Sequence, residues 1–380
     1  MTRESFEFRT ATRIVFGPDS IDRLGALAGE LGGRRVLVVS DPGVVAAGHT
    51  ARGVDSLRRA GAEAFVFDGV EENPTTRHVR LGVEFARGRG IDLIVGLGGG
   101  SAMDCAKGIN FILSCGGEMR DYQGVGKATG PMLPMVAVPT TAGTGSEAQS
   151  FALIADEETH QRMACGDPRA ACRVAILDPR TTVSQPAKVT AATGIDAIAH
   201  AVETFVTRRR NPVSMAFSRE AWRLLDANLE RVLDAPDDLE ARGAMQIGAC
   251  LAGLAIECSM LGAAHSAANP LTARYGVVHG GAVGLMLPWV VRFNARESAS
   301  DYRELASASS NGNAPTADGL VARLEHLRDR CGLPGTLSAW RVERDALPAL
   351  AAEAASQWTA QFNPRSVSAG DFLALYENAF

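Results

Sequence analysis

The chain has 380 residues, 46% of them hydrophobic and 21% charged; 38 basic against 43 acidic side chains leave a formal net charge of -5. That apolar fraction excludes a disordered chain, and the length suggests about two or three domains. The mildly acidic balance speaks against nucleic-acid or lipid-surface binding, and no run of about 18 apolar residues marks a membrane span.

The N-terminal residues lack the long apolar core of a secretory signal, so a cytoplasmic location is expected. Seven cysteines, at 105, 115, 165, 172, 250, 258 and 331, include no C-x-x-C pair. They read as reduced, buried, small side chains rather than a disulfide framework or zinc knuckle.

In chain order, short Val/Ile-rich runs fall at 13–16, 35–39, 64–67, 92–97, 135–138 and 174–177. Most are apolar on both alternations, the pattern of strands covered on both faces. Phe6-Glu7-Phe8 and Thr12–Phe16 look like edge strands that need covering, which predicts at least a homodimer. Helical spacing appears from Asp19-Ser20 to about Leu31, from Val44 to Arg59, from Asn73-Pro74-Thr75 to near Gly88 with Pro inside the start, and after Ser101. The alternation predicts βαβ units and a mostly parallel sheet. Beyond Pro186 the spacing turns helical, at 187–207, 214–233, 239–259 and 282–293, which predicts a helical second domain with its boundary within Pro179–Pro186. Residues 298–318 read as a loose helix followed by an exposed loop.

Gly96-Leu97-Gly98-Gly99-Gly100-Ser101 follows a strand and opens a helix. Glycines there let a phosphate approach the backbone amides; the alternative is a tight turn without a ligand, which three consecutive glycines make costly in chain entropy. The usual dinucleotide fingerprint is absent, since position 101 is Ser and no acid follows about 20 residues on. Asp41 instead ends an earlier strand, where a carboxylate can accept from a ribose hydroxyl and repel a 2′-phosphate, or simply cap the next helix. No Arg or Lys lies within 42–51; Arg52 is the next cation. A second loop, Pro139-Thr140-Thr141-Ala142-Gly143-Thr144-Gly145-Ser146-Glu147, offers hydroxyls and amides after another strand, and two such loops favour a coenzyme.

Asp196 and His200 stand at i and i+4 on one helix face, a spacing that suits either chelation or a helix ion pair. His265 and His279 each sit among small residues, which leave room for an ion and a substrate. One carboxylate and three imidazoles suit Fe(II) or Zn(II).

With these motifs in view, the chain resembles the iron-containing (group III) alcohol dehydrogenase family along almost its whole length. The resemblance is carried by Gly98-Gly99-Gly100-Ser101-Ala102-Met103-Asp104-Cys105-Ala106-Lys107, by Pro139 to Glu147, by Gly194 to Glu203 and by Gly262 to Pro288. It implies an α/β coenzyme domain with a mostly parallel sheet (1–184) and a helical metal- and substrate-binding domain (185–380). This is the dehydroquinate synthase-like, iron-containing alcohol dehydrogenase fold, with the active site in the cleft between the domains. It implies one divalent ion, Fe(II) before Zn(II), on Asp196, His200, His265 and His279. It also implies NAD contacts by Asp41, Gly98, Gly99, Gly100, Ser101, Asp104, Thr140, Thr141 and Thr144, with Arg162 where the family often has Lys. Where many members carry a further histidine near the nicotinamide, four residues after His265, this chain has Asn269, a substrate or nicotinamide contact that does not titrate. The implied reaction is hydride transfer between NAD(H) and a small alcohol or aldehyde, with the metal as Lewis acid. Substrate choice is expected from positions near Phe151, Leu254 and Asn269. Alternatives are a maleylacetate reductase-like or glycerol dehydrogenase-like enzyme of the same fold and, in another class, a non-catalytic coenzyme-binding sensor.

Overall fold

The computed structural model describes residues 5–159, 161–309, 312 and 314–380, so parts of the N-terminus and of the loop expected near 310 lie outside the described residues. By internal contacts the chain forms two compact units. One comprises Thr10–Thr141 and Gly145–Gln185; the other comprises Pro186–Phe380 with Ala142–Thr144 and the N-terminal residues up to Arg9.

In the first unit the strands are β1 (Arg13–Phe16), β2 (Arg35–Val39), β3 (Glu63–Phe67), β4 (Leu93–Gly98), β5 (Gly124–Val125), β6 (Met135–Pro139), β7 (Phe151–Ala155), β8 (Arg162–Gly166) and β9 (Val174–Leu177). The helices are α1 (Leu24–Glu30), α2 (Pro42–Ala46), α3 (His49–Arg59), α4 (Thr76–Ala86) and α5 (Gly100–Cys115). Six strands pair in the order β1-β9-β6-β4-β2-β3, every pairing parallel. Alternate residues feed two cores. Val36, Val38, Val95 and Leu97 pack with Leu24, Leu27, Val54 and Leu57; Leu37, Val39 and Ile94 pack with Val79, Val83, Met103 and Ile109. Helices therefore cover both faces, which is why these strands are apolar throughout.

All six sheet strands lie where the apolar runs predicted them. The small sheet β5-β8-β7, in which β7 and β8 run antiparallel, was not among the expected strands, although β7 is an apolar run, Phe151–Ala155. Other expectations need correction. Phe6–Phe8 is not a strand; Phe8 instead packs its ring on Phe217, centroids 5.6 Å apart. The helix expected over 44–59 breaks at Ala47-Gly48, where Gly48 adopts φ +83. Pro74 lies outside α4, before its cap Thr75. The stretch from Ser20 begins as a 3-10 turn before α1.

The second unit is helical: α6 (Ala187–Val206), α7 (Pro212–Asp234), α8 (Leu239–Cys258), α9 (Ala263–Tyr275), α10 (His279–Ser307), α11 (Ala317–Arg330), α12 (Leu347–Ser356) and α13 (Ala369–Asn378). The helix expected over 282–293 runs further in both directions, bending where Ser298 leaves helical geometry. Two glycines of α10 bring it onto α6. A Cβ at Gly280 would lie 1.9 Å from the Ala192 carbonyl oxygen, and one at Gly284 2.5 Å from Ile195 Cγ2. Among the described residues no single helix is long and apolar enough to cross a membrane.

Candidate active site

In the helical unit, Asp196 and His200 project from the same face of α6, His265 lies in the first turn of α9, and His279 opens α10. The close approach at Gly280 holds His279 against α6. From Asp196 Oδ1, the Nε2 atoms of His265, His200 and His279 lie 3.4, 3.6 and 3.8 Å away. The His200 and His265 rings stack, centroids 4.8 Å apart.

Asp196 is 5% exposed, yet its Oδ1 has no hydrogen-bond partner; neither has His265 Nε2. A buried carboxylate oxygen left unpaired costs several kcal/mol, so this arrangement fits a cation better than a packed core. A divalent ion ligated at about 2.1 Å in tetrahedral geometry sets its ligand atoms about 3.4 Å apart, close to the separations here.

Burial works to raise the pKa of Asp196, but His200, His265 and His279 outweigh it and hold the carboxyl well below the usual range. Burial pushes His200 down, which keeps its imidazole neutral and able to ligate. Burial acts downward on His265 too, but the Asp196 and Glu203 carboxylates on its two sides prevail and push it up to about 9. Asn269, one turn beyond His265 on α9, donates from Nδ2 to Gln357 Oε1 at 3.1 Å.

In the α/β unit, Gly98 ends β4, Gly99 is the N-cap of α5 and Gly100 its first residue. With glycine at the cap, no side chain engages the first-turn amides, which together with the helix dipole suit an anion. Gly98 pairs with Pro139 across β4 and β6, and Thr140 N donates to Gly98 O at 2.9 Å, so the two loops leave neighbouring strands side by side. A Cβ on Gly99 would lie 3.3 Å from Thr141 Cγ2. Thr144 belongs by its contacts to the helical unit, unlike Thr140 and Thr141.

The strand order reverses at β2, since β3 lies on one side and β4 on the other. Open α/β sheets bind ligands outside such switch points. Asp41, just past β2, does two things there. Its Oδ1 accepts from Val44 N at 3.0 Å, capping α2, while its Oδ2 sits 3.1 Å from where a Gly98 Cβ would be. Arg52 is engaged by Asp19 and Asp22, at 2.8 and 2.6 Å, rather than by Asp41.

Asp104 stands on α5 and bonds the second loop and β7. It is buried, with Oδ1 accepting from Ser146 Oγ at 2.7 Å and Oδ2 from Leu153 N at 3.3 Å. Fully buried Lys107 completes the cluster, donating to Ser146 O, Ser146 Oγ and Phe151 O. This network ties α5 to the segment leading into β7. Arg162 is exposed at the start of β8.

Glu203 carried no role in the sequence analysis, although it stands seven residues after Asp196, about two helical turns along the same face. It is 4% exposed and contacts His265 Nδ1 at 2.5 Å. An acid two turns from a ligand is a signal that spacing alone could have supplied.

Residues 11–179 match the family model of iron-containing alcohol dehydrogenases, and residues 190–380 match the C-terminal model of the same family. The chain is 34% identical to 1,3-propanediol dehydrogenase of Klebsiella pneumoniae, with 100% of each chain covered. It is 31% identical to NAD-dependent methanol dehydrogenase of Bacillus methanolicus, covering 96% of this chain and 97% of that one. The crystal structure of a 1,3-propanediol oxidoreductase superposes with a TM-score of 0.95 at 34% identity, over 99% of this chain and 100% of the other. The chain belongs to the iron-containing alcohol dehydrogenase family, NAD-linked oxidoreductases that interconvert alcohols and aldehydes with a divalent metal.

Proposed function

We propose that this chain is a dehydrogenase of small alcohols and aldehydes that holds its divalent ion, Fe(II) before Zn(II), on Asp196, His200, His265 and His279. The observation that carries this reading is the convergence of three Nε2 atoms on one unpartnered, buried carboxylate oxygen. The bound ion supplies Lewis acidity toward the substrate oxygen, and NAD(H) accepts or gives the hydride. Asp196 contributes the single negative charge of the ligand set, and neutral His200 presents a lone pair. Packing of α6, α9 and α10 keeps water from the buried ligands. Asn269, fixed by Gln357, presents an amide that orients substrate or nicotinamide without exchanging a proton.

The reading assigns the coenzyme to residues 1–184 and the metal and substrate to 185–380. Amides from Gly99 to Ser101 receive the pyrophosphate, Gly98, Thr140, Thr141 and Thr144 line its approach, and Asp41 selects NAD over NADP. Asp104 acts from behind, holding the loop's helix in place, and Arg162 adds a distant positive charge. The substrate class follows the names of the relatives, which act on propanediol and methanol.

Purified protein loaded with Fe(II) and assayed against short primary alcohols, diols and aldehydes should show NAD-linked turnover that chelation abolishes and metal restores. Full turnover in metal-free protein, or none on any member of the panel, would falsify the assignment. A cytoplasmic homodimer completes the reading. Strand β1 ends the sheet with Ile14 and Phe16 more than 40% exposed, an edge that a second copy would cover. Light scattering at micromolar concentration should return twice the chain mass; a monomer overturns it.

A further inference from the structure

We propose that Glu203 is a positioning residue of this centre, setting the tautomer and orientation of His265. The inference rests on the metal-site reading above.

The carboxylate touches two donors on α9. Glu203 Oε1 accepts from Ala264 N at 2.7 Å, and Oε2 meets His265 Nδ1 at 2.5 Å. Ala264 and His265 are the second and third residues of α9, so the negative charge also lies at the positive end of that helix. Gly262 makes the approach possible, since a Cβ there would lie 3.0 Å from Glu203 Oε1 and 3.1 Å from Asn363 Oδ1. Asn363 Oδ1 accepts from Ala263 N at 3.3 Å, and Asn363 is itself locked by a reciprocal pair of side-chain hydrogen bonds with Asn294. The entry of α9 is therefore fixed by two buried acceptors, one of which reaches the imidazole.

A backbone N–H can only donate, so Oε1 must accept. A carboxylate can accept on its second oxygen as well, which keeps a His265 proton on Nδ1 and makes Nε2, the nitrogen toward Asp196 Oδ1, the one that would give up its proton to a metal ion. Glutamine has nearly the same shape but cannot do both. With its oxygen on Ala264 N–H, its NH2 donates to Nδ1, and the ring proton moves to Nε2, where it blocks ligation. With the amide turned over, NH2 opposes Ala264 N–H, donor against donor. Glu203→Gln thus removes the tautomer control while keeping all four ligands and the packing volume.

The test loads wild type and E203Q with Co(II), measures affinity by chelator competition and records the visible d–d spectrum. E203Q should bind Co(II) roughly 10–100-fold more weakly. Its spectrum should be altered and its NADH affinity unchanged, and Glu203→Asp, which keeps two acceptors, should recover part of the loss. Wild-type affinity and spectrum in folded E203Q overturn the inference. If E203Q does not fold, histidine-selective 15N NMR of zinc-loaded wild type decides. A far-downfield proton on Nδ1 of His265 supports the inference, and an unprotonated Nδ1 overturns it. Failure of wild type to bind Co(II) at all defeats the metal-site reading, and the inference with it.

Discussion

In the helical unit four side chains from three helices converge on one point, where Asp196 Oδ1 and His265 Nε2 are buried without a hydrogen-bond partner. In the α/β unit Gly98 to Ser101 and Pro139 to Thr141 offer mostly backbone at the ends of neighbouring strands, while the nearby charged side chains Asp104 and Lys107 are engaged with protein. An ion needs a few strong ligands held at fixed distances, which suits side chains on rigid helices. A long anionic coenzyme needs close approach along an extended path, which suits glycine and amides. Substitutions should therefore act differently in the two regions: at the metal pocket they change chemistry, and at the coenzyme loops they change support or selectivity.

The largest effect is expected at His265. His265→Ala should abolish metal retention and lower turnover by about 10³-fold or more, the rate equivalent of several kcal/mol of lost Lewis-acid stabilisation, while NADH fluorescence still reports normal coenzyme binding. Normal metal content in the variant would remove the contrast between the units.

Lys107→Met tests support beneath the glycine loop. Lys107 is fully buried and holds Ser146, which in turn donates to Asp104. Losing the cation strands the Asp104 carboxyl, so unfolding by denaturant should show a loss of about 3 kcal/mol, with metal content unchanged in the folded fraction. An unchanged midpoint would mean the cluster is relaxed by water.

Gly280→Ala reaches the metal pocket through packing alone. Its Cβ would meet the Ala192 carbonyl oxygen, forcing α10 away from α6. The expected loss is about 2 kcal/mol of stability together with weaker metal binding, because His279 moves with its helix. Calorimetry with and without metal separates the two effects; a stable variant with full metal affinity would show that α10 adjusts freely.

The smallest effect is expected at Asp41. Asp41→Asn keeps a good cap for α2 but removes the charge beside Gly98. Wild type should prefer NAD, and the variant should shift the ratio of catalytic efficiencies toward NADP by roughly tenfold, for a repulsion of about 1.4 kcal/mol in a partly solvated setting. Arg52 does not interfere, held as it is by Asp19 and Asp22. An unchanged ratio would reduce Asp41 to a helix cap.

The sequence by itself determined the sheet strands and the change to helices after Pro186, and it named the four residues proposed here to hold the metal. Those signals are local: apolar runs buried on both faces, helical spacing, and small residues around His265 and His279. Strand β8 escaped because its short sequence, Arg162–Gly166, opens on an exposed charge and ends on glycine, whereas β7, Phe151–Ala155, is an apolar run that follows directly on a polar loop and was passed over. The break at Gly48 escaped because glycine in an apolar periodic stretch does not announce its φ. Only the tertiary structure decided that Asp41 and Gly98 meet at the strand-order reversal, and that buried Asp104 bonds Ser146 of the second loop and the backbone of Leu153. It also brought Glu203 to His265, 62 residues away along the chain. Such pairings depend on which helix faces which and how closely glycine lets them approach, and that geometry is set by the packing of the whole core rather than by any short stretch of residues.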